Sequence, residues 1–270
     1  MNLNAVELSI ILPALAAGIL VCATHVPLGM QVLARGIVFI DLAVAQMAGC
    51  GVLLADQLGF EAEGFAVQIA ALVAALAGAL LLTWTERVFA DVQEAVIGVV
   101  FVMAATGGVL LLSSNVHGGE HLRDLLVGQI LWVQPSRLLW VALAYAAILA
   151  VWFGLRARLP RAGFYVLFAI AVTLSVQLVG VYLVFASLIV PPLATRRMTR
   201  GRLATAWGIG VAGYAVGLVL STMADLPSGP VIVWMLVALG VAVDLKLRSG
   251  LARDPPDAAA VADVNYERNR

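Results

Sequence analysis

Charged residues are scarce in this 270-residue chain. Asp, Glu, Lys and Arg make up 12% of it and apolar residues 63%, whereas a soluble domain has roughly 25% charged residues. The sixteen basic and sixteen acidic residues cancel, so net charge implies neither a nucleic-acid nor an acidic partner. The charges also cluster between long apolar runs, which leaves little room for a soluble domain. Composition therefore predicts a polytopic protein embedded in membrane lipid.

Cysteine and phosphate-binding motifs are also nearly absent. Cys22 and Cys50 are the only two cysteines, and both lie in apolar segments, where a small buried side chain is expected rather than a disulfide or a metal pair. The chain has no GxxxxGK[ST] phosphate loop, the motif that cradles nucleotide phosphates. The sequence therefore offers no phosphate loop with which this chain could itself hydrolyse a nucleotide.

Long uncharged runs predict the membrane spans, because a spanning helix needs about 20 residues. Residues 162–195 form a run of 34 residues, about 51 Å if helical at 1.5 Å per residue, so we expect two spans divided near Gly180. The run 42–55 becomes a full span only if Asp41 and the residues before it are included. The predicted fold is all-α with about nine transmembrane helices over residues 1–248, followed by a disordered cytoplasmic tail, residues 249–270. The runs are 8–34, 42–55, 64–85, 95–116, 138–155, 162–195, 203–224 and 226–243.

The basic residues predict the orientation of these spans. With the N-terminus outside, alternating spans leave only Arg123 and Arg137 outside and place the other fourteen of the sixteen basic residues in the cytoplasm. The opposite orientation reverses this split. We therefore expect a multi-pass protein of the inner (plasma) membrane with an outer N-terminus and a cytoplasmic C-terminus.

Two adjacent prolines, Pro191 and Pro192, interrupt an otherwise apolar segment. Each removes a backbone donor and disrupts the preceding helical turn. The favoured interpretation is a helix broken or kinked near its inner end; the alternative is a helix that simply ends there, since arginines follow at once.

The segment from Arg35 to Gly51 carries a carboxylate, Asp41, and an amide, Gln46, in an apolar surrounding. An acid inside a membrane span costs a few kcal/mol on insertion scales, so it needs a partner or a function. One hypothesis places Asp41 in a transport pathway. The alternative is a buried acid hydrogen-bonded to backbone or to a neighbouring span. His25, before Pro27, is expected to be a loop or helix-end residue.

Three stretches of sequence resemble the permease subunits of zinc/manganese-type ABC importers. VGVYLVFASLIVPPLATRR (residues 179–197) is similar to their VGxLLVxALLVxPxATA segment, LPSGPVIVW (226–234) to the turn before their last span, and LLVGQILWVQPSRL (125–138) to LFGDLLxVxxxDL. With the Arg35–Gly51 segment, the matches follow the family's order up to about Lys246.

The resemblance implies a pore subunit that works as a dimer. Two cytoplasmic ATPase subunits and an extracytoplasmic metal-binding protein are its expected partners, no cofactor is permanently bound, and a divalent metal ion is the substrate: zinc or manganese, with iron as a further option. The chain itself is then a transport subunit and not an enzyme.

The family's second span carries a DxxxH pair, and Asp41 matches its aspartate. The position four residues on is Ala45, and the amide Gln46 lies five residues on, about 140° away around a regular helix. Only a one-residue bulge would bring Asp41 and Gln46 to the same ion. Both are retained as candidate metal ligands.

The outer loop SSNVHGGEHL (residues 113–122) contains His117, Glu120 and His121. Imidazole and carboxylate suit zinc, manganese or iron(II), and two glycines allow the three side chains to converge. The alternative is a solvated loop whose acid opens the following helix.

Contacts with the ATPase are assigned to arginines by position alone. Arg156, Arg158, Arg196 and Arg197 lie in the predicted inner loops. Anchoring to the headgroups of the inner leaflet explains the same charges.

Other functions remain open at the level of sequence. A siderophore or cobalamin ABC permease is the nearest alternative, and an ATP-independent secondary transporter or channel would need no partner ATPase. An intramembrane metalloenzyme would need fixed ligands, and only the HGGEH stretch offers any.

Overall fold

The computed structural model describes residues 5–60, 64–112, 130–155 and 158–253, and in these ranges it contains nine α-helices and no strand. Two single 3-10 turns, Ala90–Val92 and Ile130–Trp132, lie between helices. The predicted all-α fold is confirmed. The helices are α1 (Ala5–Arg35), α2 (Ile40–Gln57), α3 (Phe65–Val88), α4 (Gln93–Leu112), α5 (Pro135–Leu155), α6 (Arg161–Val179), α7 (Val181–Ala194), α8 (Arg202–Ala224) and α9 (Ser228–Arg253).

Seven helices in the described ranges are long and apolar enough to cross a membrane: α1, α3, α4, α5, α6, α8 and α9. The helix α2 has 18 residues and carries an acid near each end, Asp41 and Asp56. The helix α7 has 14 residues, about 21 Å at 1.5 Å per residue, which is less than the ~30 Å hydrocarbon core. Helix α9 continues to Arg253, five residues into the predicted tail, and the remaining tail residues lie outside the described ranges.

Gly180 divides the long apolar run where the sequence predicted a division. Its backbone has φ 81° and ψ 161°, a conformation that is essentially restricted to glycine. The chain therefore ends α6 at Val179 and begins α7 at Val181. A side chain at this position would be strained in the same turn.

Pro191 and Pro192 lie in the last turn of α7, which ends at Ala194. The carbonyls of this last turn are partly satisfied from the following segment. The Thr195 hydroxyl donates to the Pro191 carbonyl at 3.0 Å, and Arg202 donates to the Pro192 carbonyl at 3.5 Å. The two prolines therefore mark a helix end, as in the alternative weighed above, and the break within the apolar run is at Gly180.

The short helices α2 and α7 are both surrounded by other helices. Helix α2 packs against α3, α4, α6 and α7, while α7 packs against α1, α9, α8 and α6. Small residues bring the outer helices close, as is usual in membrane bundles. Gly217 of α8 faces the Cα of Ile232 in α9, and Gly210 of α8 faces the Cys22 sulfur in α1. Cys22 and Cys50 are both free, as predicted.

Contacts between helix ends gather most of the described basic residues at one end of the bundle, which we call the basic end. There the last residues of α1, α3, α7 and α9 meet the first residues of α2, α4 and α6. The contacts are the Arg35 guanidinium 4.3 Å from the centroid of the Phe164 ring, Arg161 with Glu86 at 3.9 Å, the Phe39 N–H donating to the Glu94 carboxylate at 3.2 Å, and Arg196 with Asp244 at 3.3 Å.

Near the basic end, α1 and α7 touch backbone to backbone. Pro192 has no N–H, so the Leu188 carbonyl one turn earlier lacks its helical donor. Gly29 of α1 lies directly against this carbonyl, and a Cβ on Gly29 would collide with the Leu188 oxygen and come within 3.1 Å of the Pro192 ring. The glycine and the proline therefore form one packing unit between two helices.

This contact predicts a large effect for a single methyl group. Gly29→Ala should lower the free energy of unfolding by about 1–3 kcal/mol, because overpacked contacts between rigid groups cost that much. Gly98→Ala is the matched control: Gly98 lies inside α4, and a Cβ there meets no atom within 4 Å. Thermal unfolding of the detergent-solubilised full chain compares the two. Equal midpoints for both variants would contradict the packing unit.

Candidate functional site

Asp41 lies in the first turn of α2 and is fully buried, with 0% of its surface exposed. Neither of its carboxylate oxygens has a hydrogen-bond partner among the described residues. Buried polar atoms in proteins are nearly always hydrogen-bonded, and an acid in an apolar surrounding is costly. The described residues thus do not support the alternative in which Asp41 is a satisfied structural acid.

The local structure explains why Asp41 is left unpaired. Phe39, the residue that precedes α2, provides no side-chain cap. Instead the Glu94 carboxylate of α4 accepts the Phe39 N–H at 3.2 Å. Glu94 therefore takes the capping role that an acid in the first turn could fill. Asp41 retains the favourable field of the helix N-terminus, and both its oxygens lack a hydrogen-bond partner among the described residues.

Gln46 does not share a face with Asp41. Helix α2 is regular from Ile40 to Gln57, so the bulge that would align the two side chains is not present, and five residues correspond to about 140° around the axis. Gln46 is half-buried, while Ala45, one turn after Asp41, is 1% exposed. The structure thus supplies a single carboxylate on this face of α2, and the role of Gln46 as a ligand stays a prediction.

The candidate outer site lies outside the described residues, since His117, Glu120 and His121 all fall in the undescribed segment 113–129. Within the ranges that are described, no three His, Cys, Asp or Glu side chains are grouped so that they could hold a metal ion. Among the described residues, the Gln57 amide donates to the Leu111 carbonyl and ties the end of α2 to the end of α4. The outer metal site stays a prediction.

The four arginines assigned to ATPase contacts have different surroundings. Arg156 falls outside the described residues, and Arg158 and Arg197 are exposed. Arg196 is engaged within the chain: it pairs with Asp244 at 3.3 Å and donates to the Leu193 carbonyl at 2.8 Å. Asp244 also pairs with Arg248 at 2.7 Å, so Arg196 serves at least partly to fasten the end of α7 to α9.

A buried polar network around His25 was not expected from the sequence. His25 is fully buried in the interior of α1, not in a loop or at a helix end, because α1 continues through Pro27 to Arg35. Its Nδ1 lies 3.0 Å from the Val21 carbonyl and 3.0 Å from the Thr24 hydroxyl. Its Nε2 lies 3.1 Å from the Ser175 hydroxyl, which also bonds the Tyr145 hydroxyl. The network joins α1, α5 and α6.

One signal in the sequence pointed to this network. His25 lies in an uncharged run of 27 residues, 8–34, and an ionisable side chain inside a span is by default paired or functional. Because Pro27 follows, the prediction ended the helix near His25, which was too early. Membrane helices tolerate proline, and α1 continues through Pro27 to Arg35. No sequence pattern indicated that Ser175 and Tyr145 would be its partners.

Comparison with known proteins places this arrangement in a family. Two membrane proteins align over most of the chain. An uncharacterised membrane protein of Synechocystis sp. is 27% identical over 87% of this chain and 89% of its own length. The high-affinity zinc uptake system membrane protein ZnuB of Haemophilus influenzae is 23% identical over 83% of this chain and 92% of its own length.

Solved structures share the fold. PsaBC from Streptococcus pneumoniae in complex with Fab superposes with a TM-score of 0.70 at 20% identity, over 86% of this chain and 90% of the compared chain. A transporter described as of the metal-chelate ABC type, in an inward-facing conformation, gives a TM-score of 0.68 at 15% identity, over 91% and 90%.

The model of the ABC 3 transport family matches residues 7–159 and 149–245. Those residues contain every described helix except the last turns of α9, and they include Asp41, the His25 network and the basic end. The resemblance seen in the sequence is confirmed, and this chain is a member of the ABC 3 transport family.

Proposed function

We propose that this chain is the membrane-spanning permease of an ATP-driven importer for divalent metal ions, with zinc or manganese as the substrate. Membership of the ABC 3 transport family makes it a transport subunit rather than an enzyme, with ATP hydrolysed on a separate chain. The relative from Haemophilus influenzae is named for zinc uptake, and that name supports the choice of metal. Iron(II) has compatible ligand chemistry.

The observation that carries the proposal is the unpaired carboxylate of Asp41. A permanently paired acid would be structural, but both oxygens of Asp41 lack a partner in the described part of the chain. A hard oxygen ligand of this kind suits Mn²⁺ and is accepted by Zn²⁺. A site with a single protein ligand also suits transport, because a site on a transport pathway must release its ion as well as bind it.

The orientation follows from the basic end. Cytoplasmic loops of membrane proteins carry an excess of Lys and Arg, and the arginines at the ends of α1, α3 and α7 and the start of α6 lie at this end. The basic end then faces the cytoplasm, and the N-terminus of α1 faces outside. Asp41 lies within one turn of the start of α2, so it is at the exit side of the pathway.

This orientation assigns the partner surfaces. The ATPase subunits would bind the basic end, where Arg158 and Arg197 are exposed, whereas Arg196 has its own partner in Asp244. A metal-binding protein would dock at the opposite end, near the loop with His117, Glu120 and His121, and a second copy of this chain would complete the pore within the lipid bilayer. Residues 249–270 would form the cytoplasmic tail of a permease domain that comprises residues 1–248.

A chelate importer is the second candidate because one structural neighbour is described as of the metal-chelate type. Fold likeness alone does not choose between these cargoes. In a chelate the metal ion is already surrounded by ligand atoms, so a lone buried carboxylate would have no open coordination position to fill. Asp41 therefore favours the free ion.

Dependence on ATP and on a partner chain tests the class of transporter. The tagged full chain, purified from its native membrane in mild detergent, should retain an ATPase. Liposomes that contain this complex should accumulate radioactive zinc or manganese only when ATP is present on the side of the basic end. Liposomes with the chain alone should accumulate neither. Uptake by the chain alone, driven by an ion gradient, would identify a secondary transporter instead.

The stability of an Asp41 variant tests whether the acid is structural. Asp41→Asn keeps the size of the side chain and removes the ionisable carboxyl group, so it should raise the unfolding midpoint of the full chain, since an unpaired buried acid costs up to about 3 kcal/mol. Asp91→Asn, the same change at an exposed site, should leave the midpoint unchanged. A midpoint that falls in Asp41→Asn would show that the carboxylate has stabilising partners, contrary to this account.

A further inference from the structure

Several buried polar atoms at the basic end have no hydrogen-bond partner among the described residues, and four of them come from four different helices. Such atoms are rare in folded proteins, and each needs an explanation. Their side chains are close to fully buried in two cases, since Tyr165 is 0% exposed and Gln93 is 5% exposed. The four atoms are Arg35 Nη1 in α1, Glu86 Oε2 in α3, Gln93 Oε1 in α4 and Tyr165 Oη in α6.

The Tyr165 hydroxyl is the centre of this group. The Glu86 carboxylate and the Gln93 amide are near enough to act on it as hydrogen-bonding groups, and the Arg35 guanidinium acts on it through its charge. In the described structure neither Glu86 nor Gln93 meets the hydroxyl with the distance and angle of a formed hydrogen bond. Two opposite charges, Arg35 and Glu86, therefore flank one hydroxyl without pairing with each other.

Each charge has a weaker partner in this conformation. Arg35 stacks on the Phe164 ring, 4.3 Å from its centroid, which is a weaker contact for a guanidinium than a carboxylate partner. Glu86 has Arg161 at 3.9 Å, but the Arg161 side chain is 66% exposed, and ion pairs with an exposed partner contribute little. A direct pair between Arg35 and Glu86 would satisfy Nη1 and Oε2 together, and a buried charge gains most from such a partner.

Arg35 is also connected mechanically to Asp41. It is the last residue of α1, and the next residue, Gly36, has φ 70° and open space around its Cα. The short link then reaches Phe39, whose N–H is held by Glu94 of α4, and Asp41 follows in the first turn of α2. A change in the position of Arg35 therefore acts on the start of the helix that carries Asp41.

We propose that Arg35, Glu86, Gln93 and Tyr165 form a polar latch, in which Arg35 stacks on Phe164 in one conformation of the transport cycle and pairs with Glu86 across the Tyr165 hydroxyl in another. This inference rests on the proposed transport function. The latch closes α1 and α6 onto α3 and α4 when the pair forms, and it moves the start of α2 as it does so. Its members are positioning residues for Asp41 and do not touch the metal ion.

Charge reversal tests the pair. Arg35→Glu and Glu86→Arg should each lower metal uptake by about tenfold or more, and the double variant should restore uptake to within about threefold of the original, because coupled residues show non-additive effects of this size. Uptake is measured in liposomes that contain the complete complex with its ATPase. A double variant no better than the worse single variant would overturn the latch.

Arg161 supplies the matched control, because it is the other basic partner of Glu86. Arg161→Glu alone should change uptake by less than about twofold, as expected for an exposed pair, and Glu86→Arg with Arg161→Glu should rescue nothing. Rescue by this second pair would assign Glu86 to Arg161 and would also overturn the proposal.

Tyr165→Phe provides a milder test if the charge reversals fail to fold. Its hydroxyl has no aligned partner in this conformation, so its loss should leave the unfolding midpoint unchanged or higher while uptake falls. Tyr214→Phe is the control: Tyr214 is equally buried, but its hydroxyl is 2.9 Å from the Ser187 hydroxyl, so its loss should lower the midpoint. Normal uptake by Tyr165→Phe would refute the latch.

Thermal unfolding separates failure of the latch from failure of the transport assignment. The unfolding midpoints of Arg35→Glu, Glu86→Arg and the double variant can be measured without any substrate. The double variant should have a higher midpoint than either single variant. If the original complex takes up no metal, the transport function fails while this cycle still reports on the latch. If metal uptake is normal and neither readout shows rescue, the latch alone fails.

Discussion

The free-energy cost of one unpaired carboxylate in an apolar bundle is the constraint on which this structure depends. Asp41 is buried, lies at the start of a short helix and has no partner among the described residues. An acid inside a membrane bundle is by default a functional-site hypothesis. The surrounding helices hold this one in position without giving it a hydrogen-bond partner among the described residues.

The packing of α2 meets this requirement. Helices α3, α4, α6 and α7 enclose it, and Glu94 takes over the capping of its N-terminus. Asp41 is thereby freed from the role that an acid in the first helical turn would ordinarily play. The helix is positioned through its backbone and its apolar side chains, so the carboxylate is left without a partner, as the proposed transport function requires.

A second set of polar contacts stabilises the helices around this site. The His25 network crosses from α1 to α5 and α6, and the Ser187–Tyr214 pair joins α7 to α8. Inside a membrane protein such bonds between helices add about 0.6 kcal/mol each on average. Gly29 of α1 also contacts the Leu188 carbonyl of α7 directly. Helix α1 is therefore held against α5, α6 and α7, and its last residue is Arg35, which we assign to the latch.

Much of this architecture was predictable from the sequence for definite physical reasons. The uncharged runs and the basic residues between them indicated nine helices, and a run too long for one span required a division at Gly180, where the structure has it. Motif order identified the family. These signals are local in the chain or follow from the bilayer thickness, so a single sequence is sufficient to read them.

The features that the sequence did not reveal depend on contacts between distant segments. His25 was assigned to a helix end because Pro27 follows it, but packing carries α1 through that proline. Gln46 was predicted to share an ion with Asp41 only if a one-residue bulge aligned the two side chains. Helix α2 is regular, so they point in different directions. The partners of Tyr165 come from α1, α3 and α4, and no spacing in the sequence indicates that they converge.

Metal uptake by an Asp41 variant tests the central claim most directly. Liposomes that contain the complete complex are compared with those in which the permease carries Asp41→Asn or, as the control, Asp91→Asn. The account predicts that Asp41→Asn loses about 10- to 100-fold in uptake at limiting metal concentration, the usual effect of weakening a metal site, while Asp91→Asn transports normally. Uptake by Asp41→Asn at the original rate would remove the carboxylate from the pathway and contradict the account.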